Sequence, residues 1–188
     1  FIGFIPRNSY LEYFDHDSII KKEWIVPLYG REEGLKLNKM FNDNHDYPSI
    51  AVITAGGIPY AYKGFTYDLM GLNNVEMAHA KKVKPRNLLK HHASFDKSVF
   101  YKQKPELMIN GRQTIQYSDF DPEKFLCIEQ AVWGMGLLGN IDLDDRFNEE
   151  YVFAAIRNNN YNFIWKGYCS RSFLEELDRN RFTIFECD

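Results

Sequence analysis

The distribution of apolar and polar residues along the chain predicts a mixed α/β protein. Residues 29–44 carry apolar side chains at helical spacing, which predicts an amphipathic helix. Its expected inward positions are Leu35, Leu37, Met40 and Phe41, and its expected solvent-facing positions are Arg31, Glu32, Glu33, Lys36 and Lys39. Residues 50–54 are apolar, β-branched and too few for a helix, so they predict a buried strand. A helix followed by strand, turn and strand favours α/β or α+β layer packing.

A glycine turn separates this strand from a second one at residues 66–71. Two glycines directly after a buried strand allow a sharp turn that exposes backbone N–H groups, as at the carboxyl ends of strands where α/β proteins bind ligands. The second strand places a carboxylate among apolar residues, and burying it costs several kcal/mol unless it is paired or hydrogen-bonded. We therefore expect a ligand-binding site where the following residues converge: Gly56, Gly57, Tyr60, Asp68 and Asn73.

Weaker patterns complete the predicted sheet and helices. Residues 24–28 predict a short strand, residues 75–80 a helix capped by Asn74, and residues 98–109 two strands separated by Pro105. Strands are also expected at 149–157, 161–168 and 182–187, and a helix at 171–180 with Ser170 as its cap and Leu174 and Leu177 inward. Residues 121–139 fit helix and loop equally well. The prediction is a single domain over residues 1–188, with a mixed β-sheet, flanking helices and a pattern compatible with a Rossmann-like core, and with residues 1–28 as an extension or linker.

Composition excludes some function classes. A chain of 188 residues with 45% apolar and 26% charged residues suits one folded domain. A net charge of −3 with mixed signs gives no basic footprint for nucleic acid. The sequence has no run of about 18 apolar residues and therefore predicts no membrane span. The start at Phe1, without an initiator Met or a signal-peptide pattern, suggests a piece of a longer protein.

Cysteine spacing and sequence motifs indicate no metal site and no cofactor. Cys127, Cys169 and Cys187 are odd in number and far apart, so at most one disulfide can form, and the pairing stays open. The sequence contains no P-loop, no GxGxxG, no HExxH and no GxSxG. His91 and His92 are adjacent and would point to opposite faces of a strand, which favours structural or surface roles over metal binding. The catalytic alternative is a pocket in which Asp68, His92 and Asp96 meet.

Aromatic residues make up 16% of the chain. Most should lie in the core, but Tyr60, Tyr62, Phe65 and Tyr67 surround the glycine turn and could stack on a sugar ring. Alternation along a strand should bury about half of them. The basic segment at residues 81–86 is expected to be a solvated loop, with an anion-facing rim as the alternative.

Three sequence blocks resemble the soluble extracytoplasmic region of bacterial polytopic glycosyltransferases of the mannosyl- and arabinofuranosyltransferase type. They are residues 55–60 (AGGIPY), residues 68–74 (DLMGLNN) with Met77-Ala78, and the elements His92, residues 95–97, Tyr101 and residues 104–106. The chain departs from the family pattern at His91, where a glycine is expected, and at Glu106, where an aspartate is expected. The resemblance spans roughly residues 30–110.

The resemblance implies an accessory domain of a membrane glycosyltransferase that binds or positions a glycan acceptor and does not itself transfer sugar. Its expected partners are a glycan or lipid-linked saccharide, and the membrane through a preceding N-terminal part. Its expected location is the bacterial cell envelope, on the periplasmic side of the inner membrane. The expected groove is lined by Tyr60, Tyr62, Asp68 and Asn73. The alternative is a free-standing small-molecule hydrolase or transferase that uses the Asp68, His92 and Asp96 pocket.

Overall fold

The computed structural model describes residues 19–42, 47–53, 56–80, 95–111, 113–122, 138 and 140–186, with side chains from residue 27 onward. Within these ranges, seven strands form one mixed sheet in the order β2-β1-β3-β6-β5-β7, and β4 also pairs with β6. The strands are β1 (Ile50–Val52), β2 (Thr66–Asp68), β3 (Leu107–Ile109), β4 (Thr114–Gln116), β5 (Tyr151–Asn158), β6 (Phe163–Ser170) and β7 (Phe182–Glu186). Strand β1 is parallel to β2 and β3, and the remaining pairs are antiparallel.

Helices cover both faces of the sheet. They are α1 (Ile19–Phe41), α2 (Gly57–Ala61), α3 (Val75–His79), α4 (Lys97–Gln103), α5 (Asp145–Glu150) and α6 (Arg171–Glu176), with 3₁₀ turns at Tyr117–Asp119 and Ile141–Leu143. One apolar cluster joins the sheet to α1, α2 and α6, and a second joins it to α3, α4 and α5. The predicted α/β domain with a mixed sheet and flanking helices is therefore confirmed. The parallel part, which is compatible with a Rossmann-like core, comprises β1, β2 and β3.

Helix α1 begins earlier than the sequence pattern predicts. It includes residues 24–28, which were expected to form a strand, and it contains Pro27. That prediction is wrong because a short apolar run has the same composition in a buried helix as in a strand. Two side chains also lie on the opposite face from the one expected, since Leu35 is 40% exposed and Glu33 is 1% exposed. The buried face follows the i, i+4, i+7, i+8 pattern of Glu33, Leu37, Met40 and Phe41.

The aromatic segment expected to be a strand at residue 98 is helix α4. Its N-cap is Asp96, whose carboxylate accepts hydrogen bonds from the amides of Ser98 (2.9 Å) and Val99 (3.3 Å). Capping starts a helix because it satisfies amide donors that have no partner in the first turn. Phe100 and Tyr101 are then buried against the sheet. The predicted strand is wrong because aromatic residues favour strands by propensity, whereas the Asp96 cap starts a helix here.

Most other predicted elements are confirmed. Asn74 accepts a hydrogen bond from the amide of Met77 (3.2 Å) and caps α3, and the Ser170 hydroxyl accepts one from Phe173 (3.3 Å) at the start of α6. Leu174 and Leu177 are buried as expected. The C-terminal strands are present, and residues 158–160 connect β5 to β6.

Some predictions fall on residues outside those that the structure describes. They concern residues 1–18, the basic segment 81–86, His91, His92 and most of residues 121–139, together with Cys127 and Cys187. Cys169 is a buried free thiol, and burial raises its pKa. No helix in the described part of the chain is long and apolar enough to cross a bilayer.

Candidate functional site

The glycine turn after β1 serves the packing of helix on helix. A Cβ atom on Gly57 would lie 1.8 Å from the carbonyl oxygen of Pro27 and 2.4 Å from the amide nitrogen of Arg31, both in α1. A Cβ on Gly56 would meet its nearest neighbour, the Cα of Pro27, at 3.8 Å. Gly57 is therefore required for close approach of α2 to α1, whereas Gly56 is not.

Asp68 closes the turn that follows β2. It is 3% exposed, and its Oδ1 and Oδ2 atoms accept hydrogen bonds from the amides of Met70 and Asn73, each at 2.8 Å. Gly71, within this turn, has a φ of 77°. The structure thus brings Asp68 and Asn73 together, but as a carboxylate and a backbone amide that anchor a loop.

Asp68 and Asp96, the two acids of the catalytic alternative that the structure describes, each accept hydrogen bonds that serve the fold. Asp68 holds its own turn, and Asp96 caps α4. The hydrogen bond from the Ser98 hydroxyl is the main reason that the pKa of Asp96 lies below its usual range. His92 lies outside the described residues. Within those residues, no three His, Cys, Asp or Glu side chains are grouped to hold a metal ion.

Replacing Asp96 by alanine should lower the free energy of unfolding by about 1 kcal/mol, because α4 loses its cap. Since the folded-state pKa of Asp96 is lowered, its contribution is present above the unfolded pKa and is lost as pH falls through the folded pKa. Urea unfolding at pH 7 and pH 3 should show the wild-type advantage over Asp96→Ala shrinking at the lower pH. An equal advantage at both pH values would contradict this role.

The parallel strands begin at one end of the sheet, which we call the amino edge. Here the amide of Ile50 donates to the carbonyl of Phe65 (2.9 Å), and the amide of Glu106 donates to the carbonyl of Ser49 (3.0 Å). The amide of Ser170 donates in turn to the carbonyl of Glu106 (2.8 Å). These bonds form a row across the amino edge of four neighbouring strands, β2, β1, β3 and β6. The residues in the row are, in that order, Phe65, Ser49, Glu106 and Ser170.

Glu106 fixes this row with its side chain. Its Oε2 atom accepts hydrogen bonds from the amide (2.5 Å) and the hydroxyl (2.8 Å) of Ser49. The two residues are separated by 57 positions in the chain, so sequence spacing gave no sign of the contact. The resemblance flagged Glu106 only as a departure from aspartate, and the longer side chain here ties β3 to the start of β1.

Two aromatic side chains at the start of β2 form what we call the aromatic patch: Phe65 and Tyr67. Phe65 is 64% exposed, whereas Tyr60, which is 84% exposed, belongs to α2 on the face of the sheet that α1 covers. The rings of Phe65 and Tyr67 meet edge to face, with centroids 4.7 Å apart. Tyr62 is buried and its hydroxyl donates to the carbonyl of Pro48 (2.6 Å). The expected groove therefore loses Tyr62 and Asp68, which are buried, and the open aromatic surface includes Phe65 instead.

Helix α1 holds the segment that carries this patch. The side-chain amide of Asn38 donates to the carbonyl of Ala61 (2.7 Å), and its oxygen accepts from the amide of Lys63 (2.8 Å). The segment that links α2 to β2 is thereby fixed on both sides of Tyr62. Because the backbone is already held, binding at Phe65 would require little ordering of the chain.

Glu33 forms a buried link that the sequence pattern assigned to the surface. Its Oε1 accepts from the amide of Gln113 (3.1 Å), and its Oε2 accepts from the hydroxyl of Thr114 (2.6 Å). Burial raises its pKa, opposed by these hydrogen bonds and by the positive charge of Lys36. The sequence indicates the buried position of Glu33 by helical spacing, because Glu33 lies four residues before Leu37 and seven before Met40.

Replacing Glu33 by glutamine keeps an acceptor for Gln113 and supplies a donor to the Thr114 oxygen without a charge. Because the folded-state pKa of Glu33 is raised, its stabilising effect is complete below the unfolded pKa and is lost as pH rises through the folded pKa. Thermal melts from pH 4 to pH 8 should show wild type losing stability relative to Glu33→Gln as pH rises. A constant difference would rule out this burial cost.

Comparison with known proteins identifies one family, whose function is unknown. A family model described as a domain of unknown function (DUF8728) matches residues 26–180. No curated protein and no solved structure matches the chain. The site must therefore be interpreted from its own geometry.

Proposed function

The chain belongs to this family, DUF8728, and we propose that it is a non-catalytic carbohydrate-binding domain that uses the aromatic patch. It would position a glycan acceptor for a membrane glycosyltransferase on the extracytoplasmic side of a bacterial membrane. The resemblance of the three sequence blocks supplies this cellular setting. The observation that carries the binding function is the exposure of Phe65, in edge-to-face contact with Tyr67, at the amino edge of β2, which ends the strand order of the described sheet.

The physical basis is the amphipathic match between aromatic rings and sugars. Adjacent aromatic rings at an exposed strand end present an apolar surface to a partner. A sugar ring offers a face of C–H groups that packs on an aromatic face, while its hydroxyl groups remain available for hydrogen bonds. Tyr67 also carries a phenol, which can donate to or accept from a sugar hydroxyl.

The positions of Asp68 and Asp96 favour a binding function over the enzyme alternative. A general acid or base must reach the reacting atoms of a substrate. Asp68 is buried with both oxygens occupied, and Asp96 caps a helix. Neither carboxylate lies in the aromatic patch, and so the patch has the features of a recognition surface.

The test is a titration of the full 188-residue chain with neutral manno- and arabinofuranosyl oligosaccharides. Phe65→Ala should weaken binding about tenfold, which corresponds to 1.4 kcal/mol for a lost ring contact, whereas Tyr60→Ala, on the other face of the sheet, should leave binding unchanged. Both side chains are exposed, so the melting temperature should change little.

Leu143→Ala is the matched control, because Leu143 is an apolar side chain with 77% exposure outside the patch. It should leave the dissociation constant unchanged. The proposal fails if neither these nor anionic oligosaccharides bind, or if Leu143→Ala weakens binding as much as Phe65→Ala does.

A further inference from the structure

A cleft of about 340 Å³ opens at the amino edge, where β6 ends and β5 begins. Its lining is polar and charged, and consists of Lys104, Glu149, Glu150, Tyr151, Ser170, Arg171 and Ser172. The Tyr151 hydroxyl donates to the carbonyl of Pro105 (2.9 Å), so this ring is a fixed wall. The cleft is large enough for one monosaccharide unit and differs in chemistry from the aromatic patch.

The cleft holds two cations with few partners, Lys104 and Arg171. Glu150 is paired with Arg146, whose Nε lies 2.7 Å from its Oε1. Within the described residues, the ammonium of Lys104 has no hydrogen-bond or ion-pair partner. The guanidinium of Arg171 makes a single 3.4 Å contact to the carbonyl of Asn148. The lining therefore holds two cations and one carboxylate, Glu149, besides the paired Glu150.

The cleft and the aromatic patch share the amino edge. The row of hydrogen bonds places Ser170 three strands away from Phe65, across Ser49 and Glu106. With neighbouring strands about 4.8 Å apart, the backbones of Phe65 and Ser170 are roughly 14 Å apart. That separation exceeds one sugar ring, so an oligosaccharide is needed to contact both places.

We infer that the glycan bound by this domain is an anionic oligosaccharide, whose neutral part packs on the aromatic patch and whose phosphate or carboxylate group enters the cleft. Lys104 and Arg171 supply charge-assisted hydrogen bonds to that group. The Ser172 hydroxyl and the Glu149 carboxylate are available to the sugar hydroxyls. This inference rests on the proposed carbohydrate binding and adds the charge class of the ligand.

Lys104 can be replaced by glycine without strain in the backbone. It has a φ of 46° and ends α4 in the left-handed conformation that favours glycine. Lys104→Gly therefore removes the ammonium group and at the same time suits the backbone. Its melting temperature should equal or exceed that of wild type, and so weaker binding could not be attributed to unfolding.

The experiment compares tetragalacturonate with its methyl-esterified neutral form, and a phosphorylated mannotetraose with its unphosphorylated parent. Wild type should bind at least one anionic member about tenfold more tightly than its neutral partner, with the preference falling as salt is raised. Lys104→Gly should abolish that preference, and Glu149→Gln should increase it. The pair that shows the preference identifies carboxylate or phosphate as the anionic group.

The outcomes separate the two proposals. Equal affinity for the charged and neutral members of both pairs, or a preference that survives in Lys104→Gly, overturns the inference and leaves carbohydrate binding intact. Absence of binding by all four oligosaccharides overturns the proposed function and the inference with it. A chemical-shift response of Lys104 and Arg171 to inorganic phosphate alone would not rescue either of them.

Discussion

Replacing Gly57 by alanine should lower the free energy of unfolding by about 3 kcal/mol, the upper end of the usual cost of overpacking. The added Cβ would meet backbone atoms of Pro27 and Arg31, which cannot rotate away as a flexible side chain could. Helices α1 and α2 would have to separate. Urea unfolding monitored by circular dichroism measures this loss.

Gly56→Ala is the matched control for this prediction. Its φ of −116° is outside the left-handed region, and its Cβ would meet the Cα of Pro27 at 3.8 Å, an ordinary van der Waals distance. We expect a change within about 0.5 kcal/mol of wild type. Equal effects of the two substitutions would show that the close approach of α2 to α1 is not specific to Gly57.

Replacing Asp68 by alanine should cost about 3 kcal/mol, because the amides of Met70 and Asn73 both lose their acceptor. Asp68→Asn retains one side-chain oxygen and should cost roughly half as much. The same unfolding experiment measures both variants.

Asp145→Ala serves as the comparison for Asp68, since Asp145 is an exposed carboxylate in α5. Its loss should change stability by no more than about 0.5 kcal/mol. An Asp68→Ala variant as stable as Asp145→Ala would contradict the role of Asp68 in the turn and would reopen the possibility of a chemical role.

The strands and caps could be predicted from the sequence because their signals are local. The β-branched run at β1, the Asn74 cap and the Ser170 cap each depend on a few neighbouring residues. Helix α4 also had a local signal, the Asp96 cap, but the aromatic residues after it favoured a strand. Competing local preferences are decided by which face can be buried, and that depends on the rest of the fold.

The candidate site was less predictable because distant parts of the chain build it. Glu33 bonds to Thr114 across 81 positions, and Glu106 bonds to Ser49 across 57. The sequence directed attention to the carboxyl end of β1, where the glycine turn lies. The segment after α2 returns the chain to the amino edge, where Tyr62 bonds to Pro48, and the exposed ring of Phe65 is therefore at that edge. The presence of aromatic residues was predictable, but their location in the fold was not.

The most direct test of the account is a heteronuclear NMR titration of the ¹⁵N-labelled chain with a panel of neutral and anionic oligosaccharides. The account predicts chemical-shift changes at Phe65 and Tyr67 that saturate with ligand, and with anionic ligands further changes at Lys104 and Arg171. It would be contradicted if no oligosaccharide produced saturable shifts, or if the shifts were confined to the carboxyl end of β1 and the turn after Asp68.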